Sequence, residues 1–261
     1  MSKKHRSLTQ KQFTKTVDEF SRDAVRDTPE VAEARAVFAR PQPGEDALDV
    51  ACGPGTLVLR LAPHLRFARG VDFTHAMLLR AKEFQRQRGI INACFDQGEG
   101  EHLPYPDGAF HLVTCQFAFH HIMKPEAVLL EMVRVVRPEG RLLVVDTLGP
   151  ESDEKWELHN RIEQLRDPSH VASIRLTSFL KLFEDAGLEI TRQSLKSHQR
   201  SFTNWMERAG VKKSDPRYQE VRQRIEDAIP GDKAGFLAQP QGNDLILVHH
   251  EGMFLLERHR E

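Results

Sequence analysis

Apolar and polar positions along this chain change period repeatedly. Between residues 47 and 147, short apolar runs of strand length alternate with stretches whose apolar residues fall three and four apart, the spacing of one helix face. ALDVA (47–51), FARGVD (67–72), INACF (91–95), HLVTCQFAF (111–119) and RLLVVDT (141–147) predict five strands. Helices are predicted at 56–61, ended near Pro63; at 74–88, with Thr74 as N-cap and Met77, Leu78 and Ala81 on one face; and at 125–136, closed by the RPEG turn. LPYPDGAF (103–110) is dense in turn residues and predicts a loop. Strands alternating with helices mean an α/β fold with a doubly wound parallel sheet, which takes ligands beyond the carboxyl ends of its strands.

The flanks are less regular. Residues 11–40 are polar with helical spacing, and Phe13, Val17 and Phe20 form one apolar stripe before PQPGED (41–46) breaks it. Downstream, 152–166 and 177–186 predict helices, the second capped by Gly187. LEITRQSL (188–195) predicts a strand, and 202–230 a charged helical insertion. DLILVHH (244–250) and MFLLERH (253–259) are strand-like, broken at Gly252, with His249 and His250 read as a solvent-facing edge. The organisation expected is one domain over 1–261. It has an N-terminal helical cap (1–43), a ligand-binding core (44–195), a helical insertion or lid (196–240) and closing strands (241–261).

Composition narrows the class of partner. The chain has 261 residues, enough for one full core, with 39% apolar and 29% charged residues and a formal net charge of −1. That balance supplies no electrostatic reason to expect nucleic acid or an anionic membrane. No run approaches the ~18 apolar residues of a membrane span. The opening MSKKHRSLTQKQF lacks the apolar centre of a secretory signal. Cys52, Cys94 and Cys115 are odd in number, not closely spaced and set in apolar runs, so neither a disulfide framework nor a metal site is expected. The compartment expected is reducing and cytoplasmic, and the protein a monomer or homodimer.

The chemistry concentrates at the strand ends. In ALDVACGPGTLVLRLA, Gly53 and Gly55 admit close backbone approach to a ligand, and the following helix offers N–H groups without intrahelical partners. A dinucleotide fingerprint needs a third glycine, and a phosphate loop needs G-K-[ST]; neither is present. The turn is therefore either structural or built for a ligand held without phosphate contacts. Asp72 ends the second strand, placed to accept hydrogen bonds from ribose hydroxyls or to cap the next helix. Glu99 follows the third strand, either at the amino edge of an adenine or as a solvated acid.

Taken together, DVACGPGT, GVDFTHAML and QGEGEHLPYPDGAFHLVTCQFAFHHIMKPEAVLLEMVRVVRPEGRLLVVD resemble the class I S-adenosylmethionine-dependent methyltransferases, in particular the ubiquinone/menaquinone-biosynthesis type and its small-molecule relatives. The resemblance implies a Rossmann-like seven-stranded sheet, mostly parallel, whose last strand, assigned to MFLLERH, is antiparallel. It implies that the glycine turn holds the methionine part of the cofactor, Asp72 the ribose, and Phe73 with Glu99 and Gly100 the adenine. Gln116 would supply backbone contacts to the methionine part, and Asp49, Ala51, Cys52 and Met77 belong to the same cofactor set. Ala51 stands where the family commonly has glycine, and Glu99 where it has Asp.

Methyl transfer needs an acceptor aligned with the methyl group, water kept out and, for a protonated acceptor, a base. His120 and His121 follow the fourth strand, as base or substrate contact, or as caps of the next helix. Asp146 either lines the acceptor pocket or holds the next loop. Asn160, Glu163, Arg166 and His170 either face the acceptor or form a solvated helix face. Trp205 and Met206 either cover the acceptor or pack the insertion onto the sheet. The reading reached is methyl transfer to a small, partly apolar metabolite at carbon, oxygen or nitrogen. A non-catalytic cofactor-binding protein and a nucleotide-dependent oxidoreductase are the alternatives.

Overall fold

In the computed structural model, which describes residues 3–19, 21 and 29–259, the apolar runs form one sheet. Strands β1 (Asp46–Val50), β2 (Phe67–Asp72), β3 (Ala93–Gln97), β4 (Phe110–Gln116) and β5 (Val136–Gly149) lie parallel. β9 (Asp244–Arg258) inserts antiparallel between β5 and β7 (Leu188–Ser201), giving the order β3-β2-β1-β4-β5-β9-β7. Two short strands, β6 (Ile174–Arg175) beside β5 and β8 (Gln239–Gln241) beside β9, bring the sheet to nine strands among the described residues rather than the seven expected.

The alternation of side chains along the central strands divides the core in two. Leu143, Val145 and Leu255 face one layer with α2 (Pro29–Phe38), α3 (Thr56–Leu61) and α4 (His75–Gln87). Leu142, Val144, Phe254 and Leu256 face the other, with α5 (Pro125–Val135) and α7 (Leu176–Asp185). The charged insertion folds as α8 (Phe202–Arg208) and α9 (Pro216–Ala228) around a third apolar cluster, in which Trp205, Met206 and Val221 pack with Ile162 of α6 (Asp153–Arg166). α1 (Lys3–Lys15) lies across the strand ends, where Gln10 Nε2 donates to Phe73 O at 3.2 Å. Phe20 of the expected stripe lies outside the described residues. No helix among those residues is long and apolar enough to cross a membrane.

Several elements differ from the sequence expectation. β5 begins at Val136, so the RPEG segment expected as a turn lies inside the strand. β3 starts at Ala93 because Ile91 is 93% exposed and Asn92 is held by its own side chain, which donates to Ala62 O and Leu65 O. β4 stops at Gln116 because Phe117 turns to a left-handed φ of 51°. β7 runs on through Ser201, so the boundary expected at 195 falls inside a strand. β9 passes unbroken through Gly252, where an added Cβ would lie 2.6 Å from the Phe254 ring. The missing side chain there seats an aromatic ring and leaves the strand intact.

Candidate functional site

A cavity of about 630 Å³ opens beyond the carboxyl ends of β1, β2 and β4, walled also by α1, α6, β7 and β9. One end is the glycine turn. Ala51, Gly53 and Gly55 all take left-handed φ values, of 55°, 52° and 75°. For Ala51 this conformation costs roughly 1–2 kcal/mol, so replacing the family's glycine stores strain at the site. The two glycines have different reasons to exist. No atom lies within 4 Å of a Cβ on Gly53, which lines the cavity. A Cβ on Gly55 would meet the Phe95 ring at 2.5 Å and Ala81 at 2.9 Å, and Gly55 does not line the cavity. At Gly55 the missing side chain leaves room for the Phe95 ring and Ala81.

Asp72 ties this end together. Its carboxylate accepts from Gly53 N at 2.9 Å and from Thr74 N at 2.7 Å, while facing the cavity. Thr74 occupies the N-cap position without making a side-chain cap, and Asp72 bonds the Thr74 N–H ahead of the first helical turn. Burial pushes the Asp72 pKa up, and the two N–H donors oppose that. Asp49, two residues before Ala51, is buried outside the cavity lining; one oxygen accepts from Thr114 Oγ1 at 2.6 Å and the other has no hydrogen bond. Burial pushes its pKa up to about 7, with the Thr114 bond opposing and the Asp72 charge adding.

Cys52, Phe73, Met77 and Gln116 line the cavity as expected positions for a cofactor. Glu99 and Gly100 do not. The Glu99 carboxylate is taken by Arg6 of α1 at 2.5 Å, and a Cβ on Gly100 would meet Val50 and Val128 at 3.3 Å. α1 contributes Thr9 and Phe13 to the lining, Phe13 being part of the apolar stripe expected of the N-terminal helical cap.

At the other end, His120 and His121 sit on a short 3-10 turn (Phe119–His121) and diverge in environment. His120 Nδ1 donates to Asp146 Oδ1 at 2.5 Å. Burial disfavours the imidazolium, but the Asp146 carboxylate outweighs it and the His120 pKa is raised. Asp146 is 1% exposed and outside the lining; it holds His120 and accepts from Thr147 N at 2.7 Å. Of the two roles open to it, it holds the loop and a histidine. Ser169 Oγ donates to Asp167, so His121 Nδ1 must donate to Ser169 Oγ, 3.1 Å away. Burial, then the neighbouring His120 charge, pushes His121 down to about 4. Phe13 meets its ring edge-on at 4.9 Å between centroids.

The α6 residues divide. Asn160 is structural: its Oδ1 accepts from His170 Nε2 at 2.8 Å and from Ser173 N at 2.7 Å, outside the lining. Glu163, Arg166 and His170 do face the cavity. Arg166 donates to Glu163 at 3.0 Å and to Trp205 O at 2.9 Å, and its guanidinium stacks 4.6 Å from the Trp205 ring. Burial opposes ionisation of Glu163, yet the Arg166 charge holds its pKa down to about 2. Trp205 is 1% exposed in the insertion's core and also lines the cavity.

His249 reverses its expectation. It is 6% exposed, lines the cavity and has a hydrogen-bond partner at neither ring nitrogen. The cause is pairing that no local pattern shows: β7 extends along β9 and sets His198 opposite His249, their rings stacked at 5.9 Å. Lys196, His198 and Arg200 of the same stretch line the cavity too. Their two-residue spacing, in a polar run beyond the expected strand end, was the available signal.

Comparison with known proteins agrees with this geometry. Residues 48–144 match the methyltransferase domain family, a span from β1 into β5 that includes the glycine turn, Asp72 and both histidines of the 3-10 turn. The chain is 33% identical over 164 residues to the uncharacterized methyltransferase YcgJ of Bacillus subtilis, covering 63% of this chain and 65% of that protein. It is 35% identical over 133 residues to the ubiquinone/menaquinone biosynthesis C-methyltransferase UbiE of Shewanella frigidimarina, covering 49% of this chain and 50% of that one. The chain thus spans just under two thirds of the first relative and half of the second. Among solved structures, the YcgJ crystal structure superposes with a TM-score of 0.78 at 26% identity, over 88% of this chain and 98% of that one. The BH2331 protein of Bacillus halodurans gives 0.80 at 27%, over 86% and 97%. Sequence match and structural likeness point the same way: residues 48–144 match a methyltransferase domain, and the chain resembles S-adenosylmethionine-dependent methyltransferases in sequence and fold.

Proposed function

We propose that this chain transfers the methyl group of S-adenosylmethionine to a small, partly apolar acceptor. One observation carries the reading: a single cavity joins the glycine turn and Asp72 to the His120 end. The turn fits the cofactor, because open space lies where a Gly53 side chain would stand and a buried carboxylate faces the same space. Asp72 would take the ribose hydroxyls, Phe73 and Met77 the adenine side, and the backbone of residues 51–53 and 116 the amino-acid tail. When bound, S-adenosylmethionine supplies an electrophilic methyl group on a sulfonium.

The chain's own part is alignment, exclusion of water and movement of a proton. Phe13 and Thr9 of α1 cover the cavity on one side, and Trp205 of the insertion on another. Asp146 fixes His120 with Nδ1 as donor, and no described residue hydrogen-bonds Nε2. Nε2 is then the atom to accept a proton from an acceptor hydroxyl or amine. Ile122, Phe117 and Met253 supply apolar wall for the acceptor body.

Calorimetry with S-adenosylmethionine, S-adenosylhomocysteine, NAD and NADP tests the cofactor, and transfer of a labelled methyl group into small-molecule extracts tests the reaction. The expected outcome is binding of the first two ligands alone, followed by label in an extractable product. Binding of NAD in their place would overturn the reading, as would cofactor binding with no transfer into any extract.

A further inference from the structure

The far side of the cavity carries more positive charge than a neutral acceptor needs. Apart from Asp72 at the glycine turn, five arginine or lysine side chains and three carboxylates line it. Glu163 is bonded to Arg166 and Glu251 to Arg35, each at 3.0 Å, and Asp167 accepts from Ser169. Lys196, Arg200 and Arg208 of the lining come from β7 and α8, and Arg200 donates to His198 Nε2 at 3.2 Å. Lys196 and Arg200 share a strand face with His198 between them, because side chains two apart point the same way.

A second observation lies against this arm. His249 is more than nine-tenths buried, lines the cavity and has no hydrogen bond at Nδ1 or Nε2. A buried donor and acceptor left without partners cost free energy that a ligand group can recover. The local field also registers on the histidines. Burial and then Arg200, Arg208 and Arg35 hold His198 down to about 4, and burial followed by Arg200 holds His249 well below the usual histidine range. A neutral imidazole here keeps one N–H to donate to an anion.

We propose that the acceptor carries an anionic group, a carboxylate or a phosphate, which Lys196, Arg200 and Arg208 hold at the β7 and α8 side of the cavity, with the His249 N–H as a further donor. The inference rests on the methyl-transfer reading for calling this ligand the acceptor. It adds a charged handle to the partly apolar body and makes these four residues determinants of specificity. Arginine suits the task because its planar fork matches carboxylate and phosphate oxygens, and the low dielectric of a half-buried arm strengthens each contact.

The test is calorimetry on the full chain, with and without saturating S-adenosylhomocysteine, using inorganic phosphate and benzoate as separate probes. At least one probe is expected to bind, with phosphate preferred if the acceptor is phosphorylated and benzoate if it is a carboxylate. Arg200→Gln with Arg208→Gln is expected to weaken the bound probe about tenfold or more, while S-adenosylhomocysteine affinity holds within about twofold. Lys196→Ala, at an exposed position, and His249→Phe each weaken the probe about threefold or more, so the result does not depend on the double variant folding. Absence of binding by both probes, or equal binding by all variants, overturns the proposal. Probe binding without S-adenosylhomocysteine binding would sink the methyl-transfer reading and leave the anion site standing; the converse would sink only the anionic acceptor.

Discussion

The Nδ1 atom of His120 and the Oδ1 atom of Asp146 stand 2.5 Å apart, and that carboxylate oxygen also accepts from Thr147 N. One buried acid thus fixes the tautomer of a cavity histidine and the start of the loop after β5. His120→Gln is expected to lower kcat by about 10²–10⁴-fold for an acceptor that loses a proton, with cofactor affinity unchanged. Steady-state kinetics beside calorimetry would decide. An unchanged kcat would exclude His120 as the base.

Asp146 also sets the pH at which His120 is free to act. A base works in its neutral form, and the Asp146 charge raises the His120 pKa, so kcat/KM should rise with pH through a value above the ordinary 6.5. Asp146→Asn removes the charge that opposes burial, and the acid limb should move to lower pH. A pH–rate profile that keeps its limb in this variant would contradict the pairing.

Asp72 carries two tasks, and its variants separate them. Asp72→Ala leaves the N–H groups of Gly53 and Thr74 without their acceptor and removes the proposed ribose contact. Cofactor affinity is expected to fall by about 10–100-fold, the worth of one or two hydrogen bonds to a charged group. Asp72→Asn keeps one oxygen and should lose less. Calorimetry showing equal affinity in all three proteins would remove Asp72 from the cofactor site.

Gly53 and Gly55 should respond differently to alanine. Gly53→Ala meets only the left-handed backbone and is expected to cost about 1 kcal/mol. Gly55→Ala adds a collision with the Phe95 ring and Ala81, and about 2–4 kcal/mol is expected. Urea unfolding measures both. Equal losses would mean that Phe95 gives way freely.

Buried histidines set the acid stability. His121, His159, His170 and His249 all have folded pKa values lowered first by burial, His121 to about 4. Below pH 6.5 the unfolded chain takes up protons that the folded chain refuses, so each contributes stability that is present above 6.5 and lost as pH falls toward its folded value. Asp49 and Asp72, with raised pKa values, work in the opposite direction but number fewer. His120, with its raised pKa, contributes stability that is fully present below about 6.5 and is lost as pH rises through its folded value. Net stability is expected to fall by about 1–3 kcal/mol per pH unit below 6.5. Urea midpoints at pH 7 and pH 5 would test this; a higher midpoint at pH 5 would count against the buried neutral imidazoles.

Local pattern alone determined the alternating strands and helices, the glycine turn, and the acid at the end of β2, because period and turn chemistry are properties of neighbours along the chain. It placed β1, β2, α3, α5 and the α6 helix within a residue or so of where they stand. Even the antiparallel last strand was legible, through its resemblance to a family whose members share it. What the tertiary structure decided is which polar groups meet. Asn160 and His170 are both buried, yet one binds the other and only His170 reaches the cavity. Glu99 lies where an adenine contact was expected, but Arg6, ninety-three positions earlier, takes its carboxylate. The basic arm owes its existence to β7 running past residue 195 along β9, which turns a polar run into a cavity wall and buries His249. Strand register is a long-range choice made by backbone pairing and core packing together, and no window of neighbouring residues contains it.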